Sequence, residues 1–165
     1  MAFSLWSGFL LAAILIALSP GPGAATSMSA GLRHGYGAAF RAILGLQTAL
    51  IIQLAIVAAG LGALLATSAL AFDTLRIIGA AYLVWLGVQK WRTEIKVAGD
   101  AGSPALQNDL FLQGLLVNLT NPKAIVFMVA LMPQFVDPER PQGLQFLIIG
   151  LTMCSVDTLV MSGYA

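Results

Sequence analysis

Apolar residues in this chain gather into stretches of membrane-crossing length, and the polar positions fall mostly between the stretches rather than alternating within them. Met1–Leu32 and Ala42–Phe72 contain no Asp, Glu, Lys or Arg, and each exceeds the ~20 residues that carry a helix across a bilayer. Runs bounded by charge, Gly and Pro predict five spans, Phe3–Leu32, Ala38–Ala66, Ala69–Trp91, Leu110–Phe135 and Leu144–Ala165. Residues 92–109 hold Glu94, Lys96, Asp100 and Asp109 among Gly99, Gly102 and Pro104, which reads as a linker. A second connection, Val136 to Pro141, is too charged and proline-rich to stay in hydrocarbon and is expected to turn at the surface. The predicted fold class is an all-α polytopic membrane protein.

Composition narrows the function. Of 165 residues, 59% are hydrophobic and 9% charged, against roughly 25% charged in an ordinary soluble domain. Eight basic and seven acidic residues leave a net charge of +1, with no basic block to collect phosphates, so no nucleic-acid partner is expected. The lone Cys154 excludes an internal disulfide and a cysteine-based metal cluster within one chain. No metal and no cofactor are expected. A cleaved secretory signal is rejected, because nothing basic precedes the first apolar run and that run outlasts the ~7–15 residues of a signal core. Basic residues concentrate in the first and third connections, at Arg33, Arg41, Lys90, Arg92 and Lys96, against Arg76 and Arg140 in the other two. Since short basic loops stay in the cytoplasm, the N-terminus is expected outside. Trp6, Trp85 and Trp91 lie near span ends, where an indole suits the membrane interface, although Trp85 suits packing equally well.

Two parts of the chain echo each other. At an offset of 102, Phe9-Leu10 lies over Phe111-Leu112 and Ser19-Pro20 over Asn121-Pro122; at 105, Ile43-Leu44-Gly45-Leu46 lies over Ile148-Ile149-Gly150-Leu151. Apolar matches are cheap, but a small polar residue followed by Pro at one depth in both spans is not. Three spans separate the copies, and an odd number inverts the second, giving the inverted repeat of many secondary transporters. The expected organisation is one membrane domain: a three-helix repeat over 1–98, a cytoplasmic linker over 99–109 and a second repeat over 110–165 holding two helices. On this count five helices of an expected six are present, as though the chain were truncated before the sixth.

Chemistry is sought where the spans are interrupted. Ser19-Pro20-Gly21-Pro22-Gly23 lies inside the first span. A single proline would be read as a kink, but two prolines with two glycines cannot continue a helix. An unwound segment persists at membrane depth only where protein or a water-filled cavity satisfies its backbone, so it points to a binding site. Asn121-Pro122-Lys123 interrupts the fourth span, with Asn118 one turn earlier. A Lys at the bilayer centre costs ~2.5–3.5 kcal/mol; snorkelling from mid-span would need most of a leaflet, so Lys123 is expected to face the interior. Asp157 follows sixteen uncharged residues in the fifth span. It is read as the counter-ion of Lys123 and as the proton-coupling residue, with helix-end placement the plainer alternative. Gln47 and Gln53 could join this interior or serve as interhelical glue. Candidate substrate contacts are therefore Ser19, Pro20, Gly21, Pro22, Gly23, Gln47, Asn118, Asn121, Pro122 and Lys123. Gly31-x-x-x-Gly35 is read as close helix packing without chemistry.

At Ser19-Pro20-Gly21-Pro22, Gly35-Tyr36-Gly37, Asn121-Pro122-Lys123 and Asp157, over its whole length, the chain resembles the LysE/RhtB family of amino-acid exporters. The resemblance implies efflux of small amino acids or derivatives (homoserine, homoserine lactone, threonine, lysine) through a bacterial inner membrane, driven by an ion gradient. It also implies six-helix subunits that pair as homodimers. Proton antiport through Asp157 is the expected coupling. The rivals are an inactive fragment and a passive channel, which a carrier's saturation and gradient dependence would separate. An intramembrane enzyme is set aside, because His34 is the sole histidine and Asp157 the sole mid-span aspartate, which leaves no nucleophile and base at one depth and no catalytic residue.

Overall fold

The computed structural model describes residues 1–68 and 109–165, with a scatter of residues between 70 and 84. The third predicted span, Ala69–Trp91, falls largely outside the described residues, and so do Trp85, Trp91 and the linker before Asp109.

Six helices lie among the described residues: α1 (Phe3–Leu18), α2 (Pro22–His34), α3 (Tyr36–Thr67), α4 (Leu110–Leu119), α5 (Pro122–Phe135) and α6 (Gln142–Tyr164). Two of them, α3 and α6, are long and apolar enough to cross a membrane alone. The pairs α1–α2 and α4–α5 qualify jointly, bent by 55° and 51° at their breaks, which makes up to four spans by length and composition. This corrects the expectation of five membrane helices present out of six in a chain truncated before its last. Hydropathy windows count spans, whereas each proline-broken span is two helices with separate caps, so window counting misstates the helices of this fold. In both pairs the proline opens the second helix at its first position, where a missing N–H is harmless and the fixed φ is already helical.

The packing follows from where small residues fall. A Cβ added to Gly45 would collide with the backbone carbonyl of Phe111, and one added to Gly114 with the backbone carbonyl of Ala42. Helices α3 and α4 thus meet backbone to backbone, the contact that small residues allow where lipid supplies no hydrophobic drive. The first helix of each broken pair packs on the long helix of the other half, α1 on α6 and α4 on α3. Phe9, fully buried, stacks edge-on against Phe135 (5.5 Å between centroids) and lies 6.3 Å from Phe127. Outward, Leu11, Leu15, Ile56, Leu147, Leu151 and Leu159 are exposed, as suits side chains that meet acyl chains. Trp6 does more than mark an interface, since its indole N–H donates to Thr152 Oγ1 (3.1 Å) and ties α1 to α6. The turn between α5 and α6 is clasped by the buried Gln145, which accepts from Asp137 N (2.9 Å) and donates to Asp137 O (2.8 Å), beside an Arg140–Asp137 ion pair at 3.1 Å.

Candidate functional site

Every helix interruption leaves carbonyls unpaired before it and amides unpaired after it. At the first break, Ser19 to Gly21 leave the helix and Ser19 N returns to Ile16 O (3.1 Å). Three carbonyls here, those of Ile16, Leu18 and Ser19, are met from the other half of the molecule. Lys123 Nζ donates to Ile16 O (2.6 Å) and to Ser19 O, and Tyr164 Oη donates to Leu18 O (2.9 Å). An ammonium therefore sits on the C-terminal end of α1, where the helix dipole favours a cation. Charge-assisted bonds of ~1.5–3 kcal/mol each are enough to offset the ~2.5–3.5 kcal/mol of a membrane-centre lysine. Gly21 lies directly beside the lysine stem: a Cβ there would stand in ordinary van der Waals contact with Lys123 Cδ at 3.5 Å.

Beyond this break, α2 starts with no side-chain cap. Pro22 has no N–H, and the first helical bond runs from Ala25 N to Gly21 O (3.0 Å), so the orphan donors are the amides of Gly23 and Ala24, both buried. Ser27 and Thr26 turn their hydroxyls back to the carbonyls of Gly23 and Pro22 and leave those amides alone.

The second break is shorter and closes on itself. Thr120 N returns to Leu116 O and Asn121 N to Asn118 O, both at 3.1 Å. The carbonyls of Asn118 and Leu119 accept from Gln53 Nε2 on α3 (2.9 and 3.4 Å). Asn121 caps α5, its Oδ1 accepting from Lys123 N (3.0 Å), while its Nδ2 donates to Asn118 Oδ1 (3.4 Å). Asn118 Nδ2 reaches Leu46 O on α3 (2.8 Å).

Between the breaks lies a cavity of about 60 Å³, room for a few waters at roughly 10–15 Å³ apiece. Ser19, Gly21, Gly23, Asn118, Asn121, Lys123 and Asp157 all line it, with apolar walls from Phe127, Met153 and Met161. Pro20, Pro22 and Pro122 are exposed and do not line it; they interrupt the helices without facing the cavity. Gln47 stands behind Asp157 and donates Nε2 to its Oδ2 at 2.7 Å. The Oε1 atoms of Gln47 and Gln53 are buried with no hydrogen-bond partner among the described residues. Among those residues no three His, Cys, Asp or Glu side chains come together as a metal site.

Two participants were not among the candidates. Tyr164, near the end of an apolar run, carried only the ordinary signal of an interfacial tyrosine. Gln53 was visible as a polar residue in a span, but its target, the carbonyl end of a helix some 65 residues away, is a tertiary fact.

Residues 14–165 match the LysE type translocator family. The chain is 46% identical over 166 residues to a homoserine/homoserine lactone efflux protein of Salmonella typhimurium, covering 100% of this chain and 81% of that one. It is 47% identical over 165 residues to an uncharacterized membrane protein of Vibrio cholerae (99% and 80% covered), and 31% identical over 157 residues to a leucine efflux protein of Enterobacter (93% and 74% covered). No solved structure matches.

Proposed function

The chain belongs to the LysE type translocator family, and from that premise we propose that the cavity between its two helix breaks holds a small amino acid of the homoserine class on its way out of a bacterial cytoplasm. It is a membrane transporter and not an enzyme. The observation that carries the substrate reading is the pairing of opposite signs across one cavity. The orphan amides of Gly23 and Ala24, at the positive end of α2, line the same space as the Asp157 carboxylate. A zwitterion needs that pairing: its carboxylate goes to the amide end, as anions do at helix N-termini, and its ammonium to Asp157. The amide of Lys123, at the start of α5, is already engaged by Asn121 Oδ1.

The carrier works as an inverted repeat, 1–98 against 110–165, in the inner membrane with its N-terminus outside, a reading supported by the reciprocal packing of α1 on α6 and α4 on α3 and by the basic bias of the first and third connections. Coupling runs through Asp157, which takes a proton on one side and surrenders it on the other as substrate and Lys123 compete for its carboxylate. Reconstituted into vesicles, the unsubstituted chain is expected to move homoserine saturably and in response to an imposed proton gradient. Asp157→Asn is expected to abolish gradient-driven efflux while keeping homoserine exchange. Gradient-driven efflux intact in that variant reduces Asp157 to a structural role, and absence of homoserine transport by the unsubstituted chain removes the substrate reading.

A further inference from the structure

The carbonyl end of the first break already has a ligand, and that ligand is chemically a primary alkylammonium. Lys123 Nζ is held by the carbonyls of Ile16 and Ser19 at the negative end of α1. These are main-chain acceptors, so their geometry is set by the helix and not by any side-chain rotamer. The stem is anchored too, because Lys123 N is pinned by Asn121 Oδ1 (3.0 Å). Moving the ammonium therefore requires no backbone change: side-chain torsions among staggered wells suffice, and the two bonds it gives up must be replaced at its new position. Across the same cavity stands a second acceptor for a cation, the Asp157 carboxylate. One cavity thus contains two cation acceptors, and among the described residues Lys123 is the one cation lining it.

We propose that the carbonyls of Ile16 and Ser19 form an alkylammonium site, that Lys123 is its tethered occupant, and that the ammonium group of the substrate exchanges with Lys123 there. The exchange rests on the reading of the cavity as the transport site. It deepens that reading by naming where the substrate's ammonium ends: it enters on Asp157, Lys123 swings to the carboxylate, and the substrate takes over the helix carbonyls. Each acceptor holds one cation before and after, so no charge is left uncompensated at membrane depth during the swap. Amino acids whose nitrogen is acylated cannot make this exchange and are excluded as substrates.

Lys123→Ala removes three methylenes and the ammonium beyond Cβ, the dimensions of n-propylammonium. The purified K123A chain is expected to gain thermal stability saturably with n-propylammonium and not with the neutral isostere 1-propanol. The unsubstituted chain and K123M, in which a side chain fills the path and only Asp157 is left to take the cation, are expected to show a smaller gain. Equal responses in K123A and the unsubstituted chain, or no response in K123A, overturn the site. Should K123A fail to fold alone, n-propylammonium present during expression and purification is expected to recover it, and failure to do so overturns the site equally. In vesicles, K123A no longer has a tethered competitor, so its KM for homoserine is expected to fall by about tenfold, the gain from removing a competing occupied state. A lysine that merely holds helices together leaves KM unchanged or raises it, and either result overturns the exchange. The propylammonium measurement needs no transport, so it stands or falls apart from the substrate reading.

Discussion

The two helix breaks start from one sequence device, a small polar residue followed by proline, and end in different chemistry. In the repeat alignment Pro20 lies over Pro122, Gly21 over Lys123 and Pro22 over Ala124. The extra proline delays the start of α2, so the first break leaves three residues outside the helix, Ser19 to Gly21, and the second only Thr120 and Asn121. Asn121 caps the helix that follows it, whereas Gly21 cannot cap α2. The carbonyl ends differ as well: a cation and a phenol from the other half close the first, a neutral amide from α3 the second. The second break is thus satisfied from within and from a helix packed tightly on it, while the first depends on distant side chains and keeps open amides toward the cavity. One sequence device thus yields a self-satisfied break at Thr120–Asn121 and, at Ser19–Gly21, a break that depends on the other half of the molecule.

Substitutions at both breaks test this division. The largest effect is expected at Gly114→Leu, whose side chain has no room against the α3 backbone at Ala42; overpacking of this kind costs ~1–3 kcal/mol or more, and loss of monodisperse protein on size exclusion would show it. Gly21→Ala, within the first break, meets only ordinary contact with Lys123 and is expected to leave the protein's stability within ~0.5 kcal/mol. Gln53→Leu should follow, since it strips the carbonyls of Asn118 and Leu119 of their donor at a cost of ~1–3 kcal/mol, read as a lower midpoint in SDS unfolding. Asn121→Ala removes a side-chain cap and is expected to cost ~1 kcal/mol by the same measurement; a larger loss than at Gln53 would contradict the ranking. Tyr164→Phe removes one exposed bond to Leu18 O and is expected to cost ~0.6 kcal/mol, the average for an interhelical bond in a membrane.

How much of this was legible beforehand varies with the distance over which each feature is decided. Proline and glycine act on their own backbone, so both interruptions and the helix starts at Pro22 and Pro122 could be read locally. Lys123 and Asp157 stood out because a charge in hydrocarbon demands compensation, and they do line one cavity. Which hydrogen-bond acceptors the lysine takes was not readable: its charge acts on Asp157 as a counter-ion would, but its bonds go to Ile16 O and Ser19 O, and Asp157 accepts from Gln47. Main-chain carbonyls carry no residue-type signal, so a helix end competes invisibly with a carboxylate. The count of helices went astray for a related reason, because hydropathy registers a half-helix and its partner as one apolar run.

The close approach of α3 and α4 limits how this protein can move. Two backbones in contact at Gly45 and Gly114 have no side chains between them to slide or repack, and packed interfaces shift between discrete arrangements rather than deform smoothly. Those helices therefore travel as one rigid body, carrying Gln47, Gln53 and Asn118 with them. The looser point is the longer break, where Ser19, Pro20 and Gly21 lie outside both helices, tied to them along the backbone by the bonds at Ser19 N and Gly21 O, and where the clasp on α1 is made by two side chains. A tilt of α1 about that break is then the motion these contacts oppose least, and it would have to release the bonds from Lys123 and Tyr164.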